Sequence, residues 1–239
     1  MNRLLPTQIG RLVLVVGLTG LARAAAADPT PTLRIVLYSH EDGSIPPNVV
    51  SRAKAEMTRI YRHAGIKVLW TGTAPTTISP DARPSPTSSG LELTLIILSR
   101  EMTDQLTVAT AALGGAAGTR EHRGRITYVF YDRVEHIART YLNTLPRRGA
   151  YDIDNVIVLA HAMAHEIGHL LLPYGHSPTG LMRAGWDEQD LRLAVRGRLI
   201  FTAEQAALIR TRLLIQLVSE SANTIQEGPL VERPRAIQV

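Results

Sequence analysis

The run His165-Glu166-Ile167-Gly168-His169 constrains this chain more than any other stretch. Residues four apart on an α-helix lie about 40° apart around its axis, so both imidazoles reach one point in space, with the glutamate beside it. Two histidines and a carboxylate in that relation are suited to hold a zinc ion and to move a proton next to it. Eight His and twelve Glu among 239 residues give on the order of 0.01 such runs by chance, which sets coincidence aside.

The first residues read as an export signal. Arg3 and Arg11 supply a positive start, Leu12 to Leu21 a short apolar run, and Ala24 to Ala27 small residues for cleavage. That run is too short for a comfortable membrane span. The expected organisation is therefore a signal peptide over 1–27, one domain over 28–220 and a C-terminal tail over 221–239. The destination is the periplasm or the exterior, with no stable membrane insertion after cleavage. The chain has no cysteine, so disulfides and thiolate metal ligands are excluded. Removing Arg3, Arg11 and Arg23 leaves 23 of the 26 Lys+Arg against 21 Asp+Glu, a balance of only about +2. Without a basic cluster interleaved with aromatics, nucleic acid is not an expected partner.

Branched residues from Leu33 to Tyr38 predict a first strand. Asn48 is placed to cap a helix to about His63, ended by Gly65, with Val49, Val50, Ala53, Met57, Ile60 and Tyr61 at a helical period. Ile66 to Trp70 is a second strand. The Pro- and Ser-rich stretch from Thr71 to Gly90 reads as a long surface loop. Leu91 to Leu98 is a third strand, apolar enough to be central. Gly114-Gly115-Ala116-Ala117-Gly118 reads as a loop; no lysine and Ser/Thr pair follows in a phosphate-binding register. Arg125 to Tyr131 is a fourth strand, with Ile126, Tyr128 and Phe130 alternating against Thr127 and Val129. Asp132 then caps a helix to about Leu142. Asp154 or Asn155 caps the motif helix, which cannot pass Pro173. A last amphipathic helix covers Thr202 to Val218, with Glu204 and Gln205 early in it.

The motif helix carries Ile157, Ala160, Ala164, Ile167 and Leu171 on an apolar side. Val158, Ala162, His165, His169 and Leu172 lie on the side expected to face a cleft. Gly168 lets another segment approach, which compensates for the ~1 kcal/mol that a glycine costs a helix relative to alanine. Catalytic zinc takes three protein ligands and keeps a fourth position open. Leu172-Pro173 stops the helix, Tyr174-Gly175 can reverse the chain through the positive φ open to glycine, and His176 then supplies a third imidazole. The rival third ligand is Glu188. His161 is one turn before His165, but residues eight apart on a helix are separated by about 12 Å, too far for one ion with bonds of about 2 Å. A packing role is expected for it. His40, His63, His122 and His136 are scattered along the chain.

At these residues the sequence resembles the metzincin class of zinc endopeptidases, and most closely its matrixin-like members. The class pattern is H-E-x-x-H-x-x-G-x-x-H followed by a tight turn containing methionine. Here the pattern reads His165-Glu166-Ile-Gly-His169-Leu-Leu-Leu-Pro-Tyr-Gly175-His176, then Pro178-Thr-Gly180-Leu181-Met182. One residue more separates the second and third histidines than in the class, and Leu172 occupies the class glycine position. The resemblance covers about Val156 to Trp186. It implies an α+β fold: a twisted mixed β-sheet, an active-site helix below it and a smaller, mainly helical C-terminal part. It also implies Met182 as an apolar support beneath the metal, and an extended peptide substrate lying along an edge strand, for which Arg125 to Tyr131 is the candidate. Arg183 to Leu199 would shape the pocket beyond the scissile bond, with Trp186 lining it or packing in the core. Tyr174 is a surface residue or an oxyanion donor.

The expected function is thus a zinc metalloendopeptidase over residues 28–220, with Glu166 as general base and His165, His169 and His176 on Zn2+. No separate inhibitory segment is expected, because residues 28–32 are too short to block a cleft. Two other readings share the motif: a non-catalytic zinc-stabilised binding module, and a zinc amidase acting on cell-wall peptide.

Overall fold

The computed structural model describes residues 32–41, 43–72, 90–105, 112–118, 123–144 and 155–226. The expected signal segment 1–27, most of the loop from Thr71 to Gly90, His122, Asp154 and residues 227–239 lie outside them.

The described chain is a mixed α/β structure. Its strands are β1 (Arg34–His40), β2 (Lys67–Thr71), β3 (Leu91–Leu98), β4 (Gly114–Gly118) and β5 (Arg123–Phe130), in the sheet order β2-β1-β3-β5-β4. All pairs are parallel except β4 with β5. Its helices are α1 (Pro47–His63), α2 (Arg100–Asp104), α3 (Tyr131–Thr144), α4 (Asn155–Leu171), α5 (Glu188–Val195) and α6 (Ala203–Gln226). No helix among the described residues is long and apolar enough to cross a membrane.

Parallel neighbours need a crossover, and α1 provides it between β1 and β2. Its start is set by proline rather than by Asn48: Pro46 is the cap residue, Pro47 follows it, and no side chain caps the first turn. The pyrrolidine ring already holds a helical φ and has no N–H to leave orphaned. Gly65 then takes φ +76° and turns the chain into β2. The stripe Val50, Ala53, Met57, Ile60 and Tyr61 is buried. From it the Tyr61 hydroxyl donates to the Ala164 carbonyl at 3.1 Å, tying α1 to α4.

The β4–β5 region corrects the sequence reading. The glycine-rich segment is a strand, paired antiparallel to β5 with an irregularity between Ala116 and Gly118. It occupies the sheet edge, so β5, the expected edge, is internal between β3 and β4. The alternation along β5 is incomplete, because Phe130 is buried along with the opposite set. Thr127 and Val129 are fully buried, while Ile126 and Tyr128 keep partial exposure. Thr127 tolerates burial because its hydroxyl donates to the Gly115 carbonyl at 3.0 Å. α3 begins at Tyr131 directly out of β5, placing Asp132 inside the first turn. An acidic group there faces the positive end of the helix.

The motif helix α4 was expected to have two faces. Instead it is buried almost all round, with only Asn155, Ile157 and His169 partly exposed. It packs against α1, α3, α5 and the β3–β5–β4 side of the sheet, and an enclosed helix has no solvent face to make polar. Downstream, Thr202 and Gln205 form a reciprocal cap at the start of α6. The Gln205 N–H donates to Thr202 Oγ1 at 3.2 Å and the Thr202 N–H to Gln205 Oε1 at 2.9 Å. α6 continues past Val218 to Gln226 and so takes in the first part of the expected tail. Arg210, midway along it, donates to the Ala64 carbonyl at 2.8 Å.

Candidate metal centre

His165 and His169 leave α4 on one side, one turn apart, with their Nε2 atoms 3.0 Å from each other. The His165 Nδ1 lies 2.8 Å from the Leu181 carbonyl. A carbonyl only accepts, so Nδ1 carries the proton and Nε2 presents a lone pair into the cluster. His176 completes it, with ring centroids 5.4 Å from His165 and 4.8 Å from His169. One candidate ligand atom from each of the three lies within 4.8 Å of the others. Tetrahedral zinc with bonds of about 2 Å places its nitrogens roughly 3.3 Å apart, so modest side-chain rotation suffices. The donor set therefore fits a divalent cation.

The electrostatics agree with that fit. Burial lowers His165 and His169 to about 4, and the neighbouring imidazoles push the same way. Both rings are neutral donors near pH 7. Glu166, on the same helix, is buried, and burial raises its carboxyl to about 8. It lines a cavity of about 510 Å³ together with all three histidines. A cation beside it favours its ionised form.

The turn that brings His176 back absorbs the extra residue in solvent. Leu172 stays buried, while Pro173, Tyr174, Gly175 and His176 are exposed. Contrary to the sequence reading, the left-handed residue here is Gly180, at φ +74°, and Gly175 is not among the positive-φ glycines. A Cβ on Gly180 would come within 3.2 Å of the Ile200 carbonyl. The Ser177 N–H donates to the Met182 carbonyl at 2.8 Å, and the Arg183 N–H to the Gly180 carbonyl at 3.2 Å. This closed turn drives Met182 into the core, fully buried. Its Sδ lies 2.5 Å from where a Cβ on Gly168 would stand, so Gly168 is the opening through which the methionine reaches the helix.

The other sequence candidates are distributed as follows. Glu188, the rival ligand, pairs with Arg192 on α5 and is not in the histidine cluster. Tyr174 is exposed at the turn. His161 is fully buried, with its Nδ1 2.8 Å from the Ile157 carbonyl and its ring edge-on to Trp186. Trp186 both packs and lines: it stands edge-on to His165 at 5.7 Å, borders the cavity, and its Nε1–H donates to the Leu181 carbonyl at 3.2 Å. Leu181 thus orients a metal-ligand candidate and a cavity wall through one oxygen. Two residues escaped the sequence reading: the Leu181 carbonyl, which is backbone and carries no residue signal, and Gly114 against Glu166. Arg183, the first residue of the segment expected to shape the pocket, stands on the cavity wall.

No family model matches the chain, and no curated protein matches it. Among solved structures it is similar to an archaemetzincin from Methanopyrus kandleri. Sequence identity is 15% and the TM-score is 0.41, over 77% of this chain and 96% of that one. At that distance the likeness carries no functional weight.

Proposed function

We propose that this chain is an exported zinc-dependent endopeptidase of metzincin type, with His165, His169 and His176 holding the ion and Glu166 as general base. The observation that carries this reading is the position of Glu166. A buried carboxyl lines the same cavity as three converging imidazoles, and a purely structural site has no use for such a group.

A zinc ion in this cluster supplies a Lewis acid for water and for the scissile carbonyl. Glu166 accepts the proton of the attacking water and delivers it to the leaving amine. His165 is held in its donor tautomer by Leu181, and Met182 fixes the floor beneath the helix. β4, and not β5, is the lane for an extended substrate. Gly114, Gly115 and Ala116 border the cavity, and the strand pairs with β5 on one side only among the described residues. Unpaired backbone groups on an edge bind peptide main chain without reading its sequence. Export rests on Arg3, Arg11 and the apolar run after them.

The test is hydrolysis of casein and of quenched peptides by the purified chain, with chelator and after zinc is returned. The account expects cleavage that is lost with chelator and restored by zinc. Zinc-dependent stabilisation without cleavage supports a binding module instead. Turnover of cell-wall amides alone supports an amidase.

A further inference from the structure

We propose that Arg183 selects peptides bearing a carboxylate next to the scissile bond, an inference that rests on the peptidase reading above. Arg183 lines the cavity and, among the described residues, is its only permanently charged wall residue; the remaining titratable groups there are His165, His169, His176 and Glu166. Its backbone is fixed, because its N–H closes the Met182 turn.

The guanidinium is also fixed, through one nitrogen. Nη1 donates to Asp187 at 2.8 Å and to Asp190. Among the described residues, Nε and Nη2 engage no acceptor. That Nε–Nη2 edge is the fork that takes a carboxylate through two parallel hydrogen bonds.

The two aspartates are shared with the start of α5. The Asp190 N–H donates to Asp187 at 3.0 Å and the Asp187 N–H to Asp190 at 3.1 Å, in a reciprocal cap. The positive end of the helix offsets part of their charge. They hold Arg183 in place, and its open edge is left for a ligand. Glu188, the other acid of that turn, is engaged by Arg192.

The test uses quenched peptides with Glu, Gln or Lys at each residue flanking the cleaved bond, amidated at the C-terminus, and a parallel set with a free C-terminus. Glu and Gln have nearly the same shape, so their ratio reads charge. The expected result is a Glu over Gln preference in kcat/KM of about tenfold at one position, the scale of a charge-assisted hydrogen bond. Lys is expected to be poorest there, and Arg183→Lys, which keeps charge but loses the fork, brings the Glu-to-Gln ratio to about 2 or less. A preference for the free C-terminus that is lost in Arg183→Lys makes the terminal carboxylate the source. Binding of the same peptides to zinc-loaded Glu166→Gln protein, followed by tryptophan fluorescence, should show the same ratio without turnover. Equal use of Glu and Gln peptides with either terminus by the wild type overturns the proposal, even if every Arg183 variant fails to fold. A preference that persists in folded Arg183→Lys overturns it too. Absence of all peptide cleavage by the zinc-loaded wild type strikes the peptidase reading itself.

Discussion

Gly114 lies directly against Glu166: a Cβ at residue 114 would stand 2.5 Å from Glu166 Cγ, 2.7 Å from its Cδ and 2.3 Å from the Tyr128 carbonyl oxygen. The edge strand can cover the proposed base only because it lacks a side chain there. Gly114→Ala must displace the carboxyl, the strand or both. A misplacement of about 1 Å costs on the order of 100-fold in rate, so kcat should fall by that order. Zinc affinity should hold, because the three atoms nearest the new methyl belong to no proposed ligand. Gly115→Ala, with nothing within 4 Å, is the control for folding and zinc content and should be near neutral in both. Wild-type kcat in Gly114→Ala, measured beside zinc content, contradicts this.

Met182 and Gly168 should be energetically coupled. Met182→Ala removes a fully buried side chain and should cost about 2–5 kcal/mol by denaturant unfolding. Gly168→Ala drives a methyl into the Met182 sulfur and should cost about 1–3 kcal/mol, less the ~1 kcal/mol gained in helix propensity. In the Met182→Ala background the same Gly168→Ala change should lose most of its cost, since the sulfur is gone and the remaining close neighbour is Phe201 Cε1 at 3.2 Å. Additive effects in the double mutant would show that the two residues do not meet as described.

The metal-free protein should lose stability in both pH directions. Burial holds His161, His165 and His169 at about 4, below the ordinary 6.5. Their neutral forms take up protons on unfolding, so their contribution is intact above pH 6.5 and is lost as pH falls towards 4. Glu166 is raised from 4.5 to about 8. Its contribution is intact below pH 4.5 and is lost as pH rises through 8. Melting temperatures across pH should show both limbs, and Glu166→Gln should erase the alkaline loss from this group while leaving the acid limb. An unaltered alkaline limb in Glu166→Gln refutes the assignment.

Gln205 joins the last helix to the metal turn. It completes the α6 cap with Thr202, and its Nε2 donates to Ser177 Oγ at 2.9 Å, one residue after His176. Gln205→Ala removes its two side-chain bonds, to the Thr202 N–H and to Ser177, so it should destabilise the fold by about 1–2 kcal/mol and weaken zinc binding. Zinc affinity equal to wild type, read by competition with a chromogenic chelator, would place the role of Gln205 in α6 alone.

The metal cluster was legible because helical period encodes it: His165 and His169 share a side by spacing alone, and Pro173 forces the chain to turn before His176. The third strand was equally legible, since a run that is apolar except at Glu92 and Thr94 needs cover on both faces. β4 was not. Glycine and alanine carry no period-two alternation, so a strand built from them looks like a loop. Which strand stood at the edge was hidden for the same reason, because that depends on β4 existing. The inward turn of Thr127 depended on a hydrogen bond to Gly115, an acceptor that only the folded sheet supplies. Likewise, burial around α4 came from three helices and three strands that its own sequence does not name.

The most direct test measures zinc and turnover in the same samples of wild type and Glu166→Gln. The account predicts one zinc per chain in both proteins, peptide cleavage by the wild type, and a rate for Glu166→Gln lower by at least ~100-fold. Equal cleavage by both proteins at equal zinc content contradicts it.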